Sequence, residues 1–241
     1  MLNQPQRIVA LLPMKANSER VKGKNFRYFH GKPLFRWILD TLLSVPEISQ
    51  VVINTDARLI LGMQGLTETE RIQIRDRKPE ICGDFVSMNL ILADDIANVP
   101  ADIYLMTHTT NPLLSATTIR SALQQYVAAK TTGIVDSLFT VNRYQTRFYH
   151  QDGSPVNHDP KNLIRTQDLE PWYEENSHLY LFTSESFAAT NARIGQKPML
   201  FETPRIESVD IDDETDWEIA EIIAKAKYPV EVSLNEVRFS A

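Results

Sequence analysis

Short apolar runs alternating with helical patterning constrain this chain of 241 residues more than any other feature. Ile8 to Leu12, Val51 to Asp56, Arg71 to Arg75, Ile103 to Met106, Ile134 to Val141 and His178 to Phe182 read as strands, and Val209 to Ile211 as a last short one. Between them, helical spacing predicts helices over Pro33 to Leu43, with Pro33 in the first turn, and over about Met88 to Ala97. A helix capped by Ser115 reaches about Lys130, a short one follows Ser184, and another spans Glu214 to Lys227. This rhythm is the signature of an α/β protein whose mostly parallel sheet is flanked by helices. With 43% hydrophobic residues, residues 1–241 suit one domain with an embellishment. The embellishment is the polar, aromatic tract from Asn142 to Glu175, where Asp152-Gly153 between Phe148-Tyr149 and Val156 gives a hairpin signal. It predicts an inserted arm at about 142–175.

The formal charge of −6 argues against general nucleic-acid binding, which draws its affinity from neutralising phosphates. The single cysteine, Cys82, excludes an internal disulfide framework, suits a reducing compartment and is expected to be buried. No apolar run approaches the roughly 20 residues that span a bilayer, and the first residues have no leader pattern. A cytoplasmic protein without membrane partners is the simplest expectation.

Local charge runs the other way. Directly after the first apolar run, Pro13 to Asn25 carries the cations Lys15, Arg20, Lys22 and Lys24 against the single acid Glu19, with Asn17, Ser18 and Asn25 between them. Ligands on open α/β sheets bind beyond the carboxyl ends of strands, so this loop falls where a small polyanion would be held. Neither the G-x-x-x-x-G-K-[ST] nor the G-x-G-x-x-G spacing is present, which excludes an ordinary P-loop or dinucleotide fingerprint. Near the other end, Asp210-Ile211-Asp212-Asp213-Glu214-Thr215-Asp216 places carboxylates where a strand gives way to a helix. Extended backbone aims Asp210 and Asp212 to one side, as a Mg²⁺ site requires, while helix capping is the competing reading and is preferred for Asp213 and Asp216. Cations for phosphates and acids for a bridging metal are complementary parts of a nucleoside-triphosphate site.

Leu12 to Asn25 followed by Gly31-Lys32-Pro33-Leu34 resembles the signature of acylneuraminate cytidylyltransferases, which make CMP-sialic acid. Lys78-Pro79-Glu80 through Gly83-Asp84 and Ser87, then Thr109-Thr110-Asn111-Pro112-Leu113, continue the resemblance. Arg165-Thr166-Gln167-Asp168-Leu169 with Asn176 and Tyr180, and finally Asp210-Ile211-Asp212, complete it in the same order over nearly the whole chain.

The resemblance implies a Rossmann-like three-layer nucleotidyltransferase fold with a dimerisation arm, a homodimer, CTP as co-substrate and Mg²⁺ as cofactor. It implies that the anomeric hydroxyl of an acidic nine-carbon sugar attacks the α-phosphate of CTP. Leu12, Pro13, Lys15, Asn17, Ser18, Arg20, Lys24 and Asn25 would contact the nucleotide, with Arg77 or Lys78 and Ser87 near cytosine and ribose. Asp210 and Asp212 would hold the metal, and Lys15, Lys24 and Asp212 would act in catalysis. His108, Thr109, Arg165, Gln167 and Tyr173 would face the acceptor. Arg165 would pair with the sugar carboxylate or sit at the dimer interface, Tyr173 likewise, and His108 has catalytic, hydrogen-bonding and structural readings. Lys15 where arginine is usual, Glu19 where a cation is frequent, and His108 where glutamine is usual depart from the pattern on points that bear on the sugar. Transfer to another anionic acceptor, or nucleotide binding without turnover, are the alternatives.

Overall fold

The structure, a computed structural model, describes residues 6–17 and 21–229. β1 (Ile8–Leu11) is wholly buried, as its unbroken apolar run requires. A small antiparallel hairpin follows, β2 (Tyr28–Phe29) and β3 (Lys32–Pro33), turning through His30 and Gly31, both at positive φ. Then come α1 (Leu34–Ser44), β4 (Ile48–Thr55), α2 (Arg58–Met63), β5 (Ile72–Asp76), α3 (Met88–Asn98), β6 (Ile103–Met106) and α4 (Ala116–Lys130). The second half holds β7 (Ser137–Tyr144), β8 (Trp172–Phe182), α5 (Ser184–Thr190), β9 (Pro198–Glu202) and α6 (Glu214–Lys227).

The main sheet has seven strands in the order β5-β4-β1-β6-β8-β7-β9. β8 alone runs antiparallel to its neighbours; the other pairings are parallel. Strand alternation divides the core into two layers of contact. Ile8, Ala10 and Leu12 point to the face covered by α1 and α4, whereas Val9 and Leu11 point to the face covered by α3 and α5. Trp217, Ala220 and Ala224 of α6 form a third cluster with Phe29, Leu34, Leu113 and Ile211. That cluster fixes the Asp210-Ile211-Asp212 segment against the loop after β6.

Capping predictions hold where the signal is local. Ser115 accepts from the Thr118 N–H, and Asp213 and Asp216 form a reciprocal capping box on α6. Three expectations are corrected. The strand predicted over Ile134 to Val141 begins only at Ser137, because Gly133 turns at φ 72° and leaves Ile134 in solvent. Val209 to Ile211 is extended but joins no ladder, the Ile211 N–H donating instead to the Thr110 carbonyl at 3.0 Å. Cys82 is only partly buried, since it ends a turn and its Sγ lies 3.4 Å from the Lys78 carbonyl oxygen.

Candidate active site

After β1 the chain passes to β4 and β5 on one side of the sheet, then crosses to β6 on the other. The carboxyl ends of β1 and β6 therefore border a topological switch point, where open α/β sheets place ligands. A cleft of about 350 Å³ lies there, walled by Pro13, Met14 and Lys15 after β1 and by His108, Thr109 and Thr110 after β6.

The strand-like path of β1 continues past its last ladder residue. The Leu12 N–H donates to the Val52 carbonyl at 2.8 Å and the Met14 N–H to the Asn54 carbonyl at 3.1 Å. Leu12 is thus a core residue, and Lys15 emerges at the rim, where it pairs with Asp84 from the opposite lip. Arg77 reinforces the turn-out: its guanidinium donates to the Met14 carbonyl at 3.0 Å and the Asn54 carbonyl at 2.7 Å. Its Nε donates to Asn54 Oδ1 at 3.0 Å, while Asn54 Nδ2 donates to buried Asp95 at 2.8 Å. Burial raises the Asp95 carboxyl to about 6, against the pull of Asn54 and Arg75. Asp56 accepts from the Ala16 N–H at 2.7 Å and holds the start of the basic loop.

Lys24 reaches the cleft from a short helical turn and is only 8% exposed. Its Nζ donates to the Ile211 carbonyl at 2.5 Å and stands 3.7 Å from Asp212 Oδ1. Asn25 beside it donates to the Lys15 carbonyl at 2.8 Å and accepts from the Thr109 hydroxyl at 2.5 Å. The basic loop, the β6 loop and the acidic segment, distant in sequence, are thereby tied together around one cavity.

Asp210 is largely buried beside Thr110, and burial, then the nearby Asp212 charge, lift its carboxyl above the ordinary range, with Thr110 and Lys24 opposing. Its Oδ1 is buried with no hydrogen-bond partner among the described residues. An orphaned carboxylate oxygen next to a second carboxylate fits a hard divalent cation that takes its remaining ligands from phosphate and water. Among the described residues no group of three or more His, Cys, Asp or Glu gathers in metal-binding geometry. The donor set suits a metal shared with a substrate rather than an all-protein cage.

On the β6 side of the cleft, His108 is half-buried. Burial and then the Arg193 charge push its imidazole down to about 3, so it is neutral at physiological pH and a weak base. Arg193, in the loop after α5, stacks on Tyr180 at 3.9 Å and brings Nη1 to 3.5 Å from His108 Nε2. Glu175 of β8 stands 3.3 Å from Arg193 Nη2 and accepts from the Tyr180 hydroxyl. A β-bulge at Ser177, φ 59°, lets Glu175 and Tyr180 share that hydrogen bond across the irregularity. His178 next to it is wholly buried and pushed down to about 4 by desolvation.

Of the residues singled out in the sequence, Pro13, Lys15, Lys24, Asn25, Arg77, His108 and Thr109 line the cleft, and Asp210 and Asp212 join it through Thr110 and Lys24. Asn17 is exposed where the basic loop begins; Ser18 and Arg20 lie outside the described residues. Lys78 turns to Asp94 at 2.6 Å, and Ser87 caps α3 by accepting from the Asn89 N–H at 3.3 Å. Arg165, Gln167 and Tyr173 stand on the exposed arm and do not line the cleft; the Arg165 fork is filled by Asp168 at 2.7 and 2.9 Å. Arg193, Glu175, Asp56 and Asp95 were not legible from sequence, each being isolated in its own segment. Gly195, two residues beyond Arg193, was the one local cue to a tightly held loop.

The sequence is 26% identical over 226 residues to N-acylneuraminate cytidylyltransferase of Oncorhynchus mykiss, covering 90% of this chain and 50% of that one. It is 25% identical over 230 residues to CMP-N,N'-diacetyllegionaminic acid synthase of Legionella pneumophila, covering 89% and 95%. Pseudaminic acid cytidylyltransferase of Campylobacter jejuni is 22% identical over 227 residues, covering 91% and 97%. The chain thus spans half the length of the first relative and nearly all of the other two. In fold it is similar to CMP:2-keto-3-deoxy-manno-octonic acid synthetase complexed with CTP, with a TM-score of 0.62, 15% identity and coverage of 91% and 99%. It is similar also to 4-diphosphocytidyl-2C-methyl-D-erythritol synthase of Anaerococcus prevotii, with a TM-score of 0.63, 13% identity and coverage of 92% and 97%. The Cytidylyltransferase family model matches residues 9–228, and with a cationic cleft at the sheet's switch point facing a carboxylate pair, the chain belongs to the cytidylyltransferase family.

Proposed function

We propose that this protein transfers CMP from CTP to the anomeric hydroxyl of a sialic-acid-like nonulosonate, in a Mg²⁺-dependent reaction that releases pyrophosphate. The observation that carries the reading is that Lys15, Lys24 and Asn25 line one cleft and that Lys24 and Thr110 tie Asp210 and Asp212 to it. The relatives named for sialic, legionaminic and pseudaminic acids support the acceptor class.

Lys15 and Lys24 offset charge on the triphosphate, and Asn25 holds the backbone that presents Lys15. Asp210 and Asp212 would hold Mg²⁺, which would supply Lewis-acid stabilisation of charge developing on the leaving group. The sugar hydroxyl oxygen forms the new bond to the α-phosphorus, the α–β bridging bond breaks, and pyrophosphate departs with that electron pair. The hydroxyl proton passes to solvent. Neutral His108 orients the acceptor by hydrogen bonding instead of removing the proton, consistent with its low basicity. Catalysis is then positional and electrostatic.

The arm forms a homodimer contact in this reading. Its Tyr149, Leu163, Ile164, Trp172 and Tyr173 are large apolar side chains left exposed in the single chain, which supports such a contact. A two-protomer mass in sedimentation is expected, lost on Trp172→Ala. The activity is tested by pyrophosphate release from CTP, with and without Mg²⁺, against N-acylneuraminates, legionaminic and pseudaminic acids, and 2-keto-3-deoxy-octonate. Release with a nonulosonate is expected; release with the octonate alone moves the chain to another acceptor class, and no acceptor-dependent release defeats the proposal.

A further inference from the structure

Among the arginines that lie beside a carboxylate, Arg193 is the one held most loosely. Arg75, Arg58, Arg27, Arg120 and Arg165 each place a guanidinium nitrogen 2.6–2.8 Å from a carboxylate oxygen. The contacts of Arg193 are all long: 3.3 Å to Glu175, 3.5 Å to His108 Nε2 and 3.9 Å to Met106 Sδ. Charge-assisted hydrogen bonds ordinarily settle at about 2.7–2.9 Å, so this guanidinium is held near partners without closing on any. One face lies on the Tyr180 ring, and the side chain is only 20% exposed, beside a wall of the cleft.

Its position is nonetheless firmly set. The Arg193 N–H donates to Asn89 of α3 at 3.3 Å, and the Thr190 hydroxyl donates to the Ala192 and Ile194 carbonyls at 3.2 and 2.9 Å. The Gly195 N–H donates to Ser137 at 2.8 Å, and the Gln196 and Lys197 N–H groups donate to Asp136 at 2.8 and 3.0 Å. The long contacts therefore belong to the side chain and not to a loose loop. A preorganised guanidinium with a stacked face and open hydrogen-bonding capacity is what planar, bidentate capture of a carboxylate requires.

Resting on the acceptor class proposed above, we propose that Arg193 binds the acceptor's carboxylate, with Glu175 as its partner while the site is empty. Glu175 keeps its hydrogen bond from the Tyr180 hydroxyl and, being 40% exposed, stays solvated when the acceptor closes on Arg193. Within the protomer Arg165 stands on the exposed arm and is bonded to Asp168.

The test is calorimetric titration of the full chain loaded with a non-hydrolysable CTP analogue and Mg²⁺. The probes are N-acetylneuraminate and 2-keto-3-deoxy-octonate, each against its methyl ester. Wild type is expected to bind at least one acid about ten- to a hundredfold more tightly than its ester, as charge-assisted hydrogen bonds allow. Arg193→Ala brings that ratio near one while affinity for the CTP analogue is kept, and Arg193→Lys restores part of it, results a merely structural role would not give. The proposal is overturned by Arg193→Ala keeping the wild-type ratio, or by wild type failing to prefer either acid, weak binding of both included. Pyrophosphate release is read separately: acid binding without release defeats the catalytic reading and leaves the Arg193 assignment intact.

Discussion

Replacing Lys24 by methionine separates a phosphate-binding lysine from a structural one. The side chain is 8% exposed, donates to the Ile211 carbonyl at 2.5 Å and lies 3.7 Å from Asp212. Methionine keeps most of the volume, so little cavity forms. Losing a hydrogen bond from a charged donor costs about 1.5–3 kcal/mol when the acceptor stays dry. Asp212 is 44% exposed and admits water beside Ile211, which puts the expected cost near the lower end, about 1.5 kcal/mol. The ion pair adds at most about 1 kcal/mol, because the exposed partner screens it. A chain of this size should lose roughly 3–6 °C in Tm for 1.5 kcal/mol. Turnover should fall much further, about 10²–10³-fold, as when one preorganised donor to developing charge is removed. The assay is steady-state pyrophosphate release alongside thermal unfolding without nucleotide. A kcat within threefold of wild type, with Tm lowered as calculated, would show that Lys24 only ties down Ile211 and would refute the triphosphate role.

Asp210→Asn should abolish Mg²⁺-dependent turnover, by about 100-fold or more, yet leave metal-free Tm at neutral pH equal or higher. Burial raises this carboxyl, so the folded state favours its protonated form and gains stability as pH falls through the raised value; asparagine removes the unfavourable charge. A lowered metal-free Tm would count against an unmet carboxylate. Asp95 is raised from 3.8 to about 6, so the folded protein binds a proton that the unfolded chain releases. Stability should therefore decline as pH rises from about 4 to 6, on the order of 1–3 kcal/mol, and calorimetry of Asp95→Asn should show that slope flattened. In Gly195→Ala the new Cβ would lie 2.4 Å from Asp136 Oδ1, displacing the carboxylate that anchors the Arg193 loop. A loss of roughly 1–3 kcal/mol is expected, with acceptor KM raised and CTP KM unchanged; an unmoved acceptor KM would count against the loop's role.

The elements that sequence locates well are those whose signals are local. α6 begins at Glu214 because Asp213 and Asp216 satisfy each other's backbone donors, and β6 is four consecutive buried residues. β9, absent from the sequence reading, is an edge strand paired only with β7, and of its five residues only Phe201 is fully buried. Such a strand is defined by a partner 61 residues away, Ser137 facing Pro198, and leaves no alternation to read. The apolar pair Ile134-Val135 pulled the predicted start of β7 outward, whereas the backbone turn at Gly133 decided it.

The same distinction runs through the site and explains why its two halves differ in legibility. The proposed nucleotide half is carried by consecutive residues on two loops, Pro13 to Asn25 and Asp210 to Asp212, so charge and spacing expose it before any fold is known. The proposed acceptor half takes His108 from the end of β6, Glu175 and Tyr180 from either side of a bulge in β8, and Arg193 from a loop beyond α5. No spacing links them, because the sheet order, which sets β8 beside β6, brings them together. A conspicuous arginine in a matched segment, Arg165, drew the carboxylate expectation; in the single chain it stands on the exposed arm, bonded to Asp168. What marks Arg193 is the mismatch between a fixed backbone and a loosely met charge. That mismatch is a property of three-dimensional contact, and in the proposed reading it sets acceptor recognition on residues apart from the triphosphate loop.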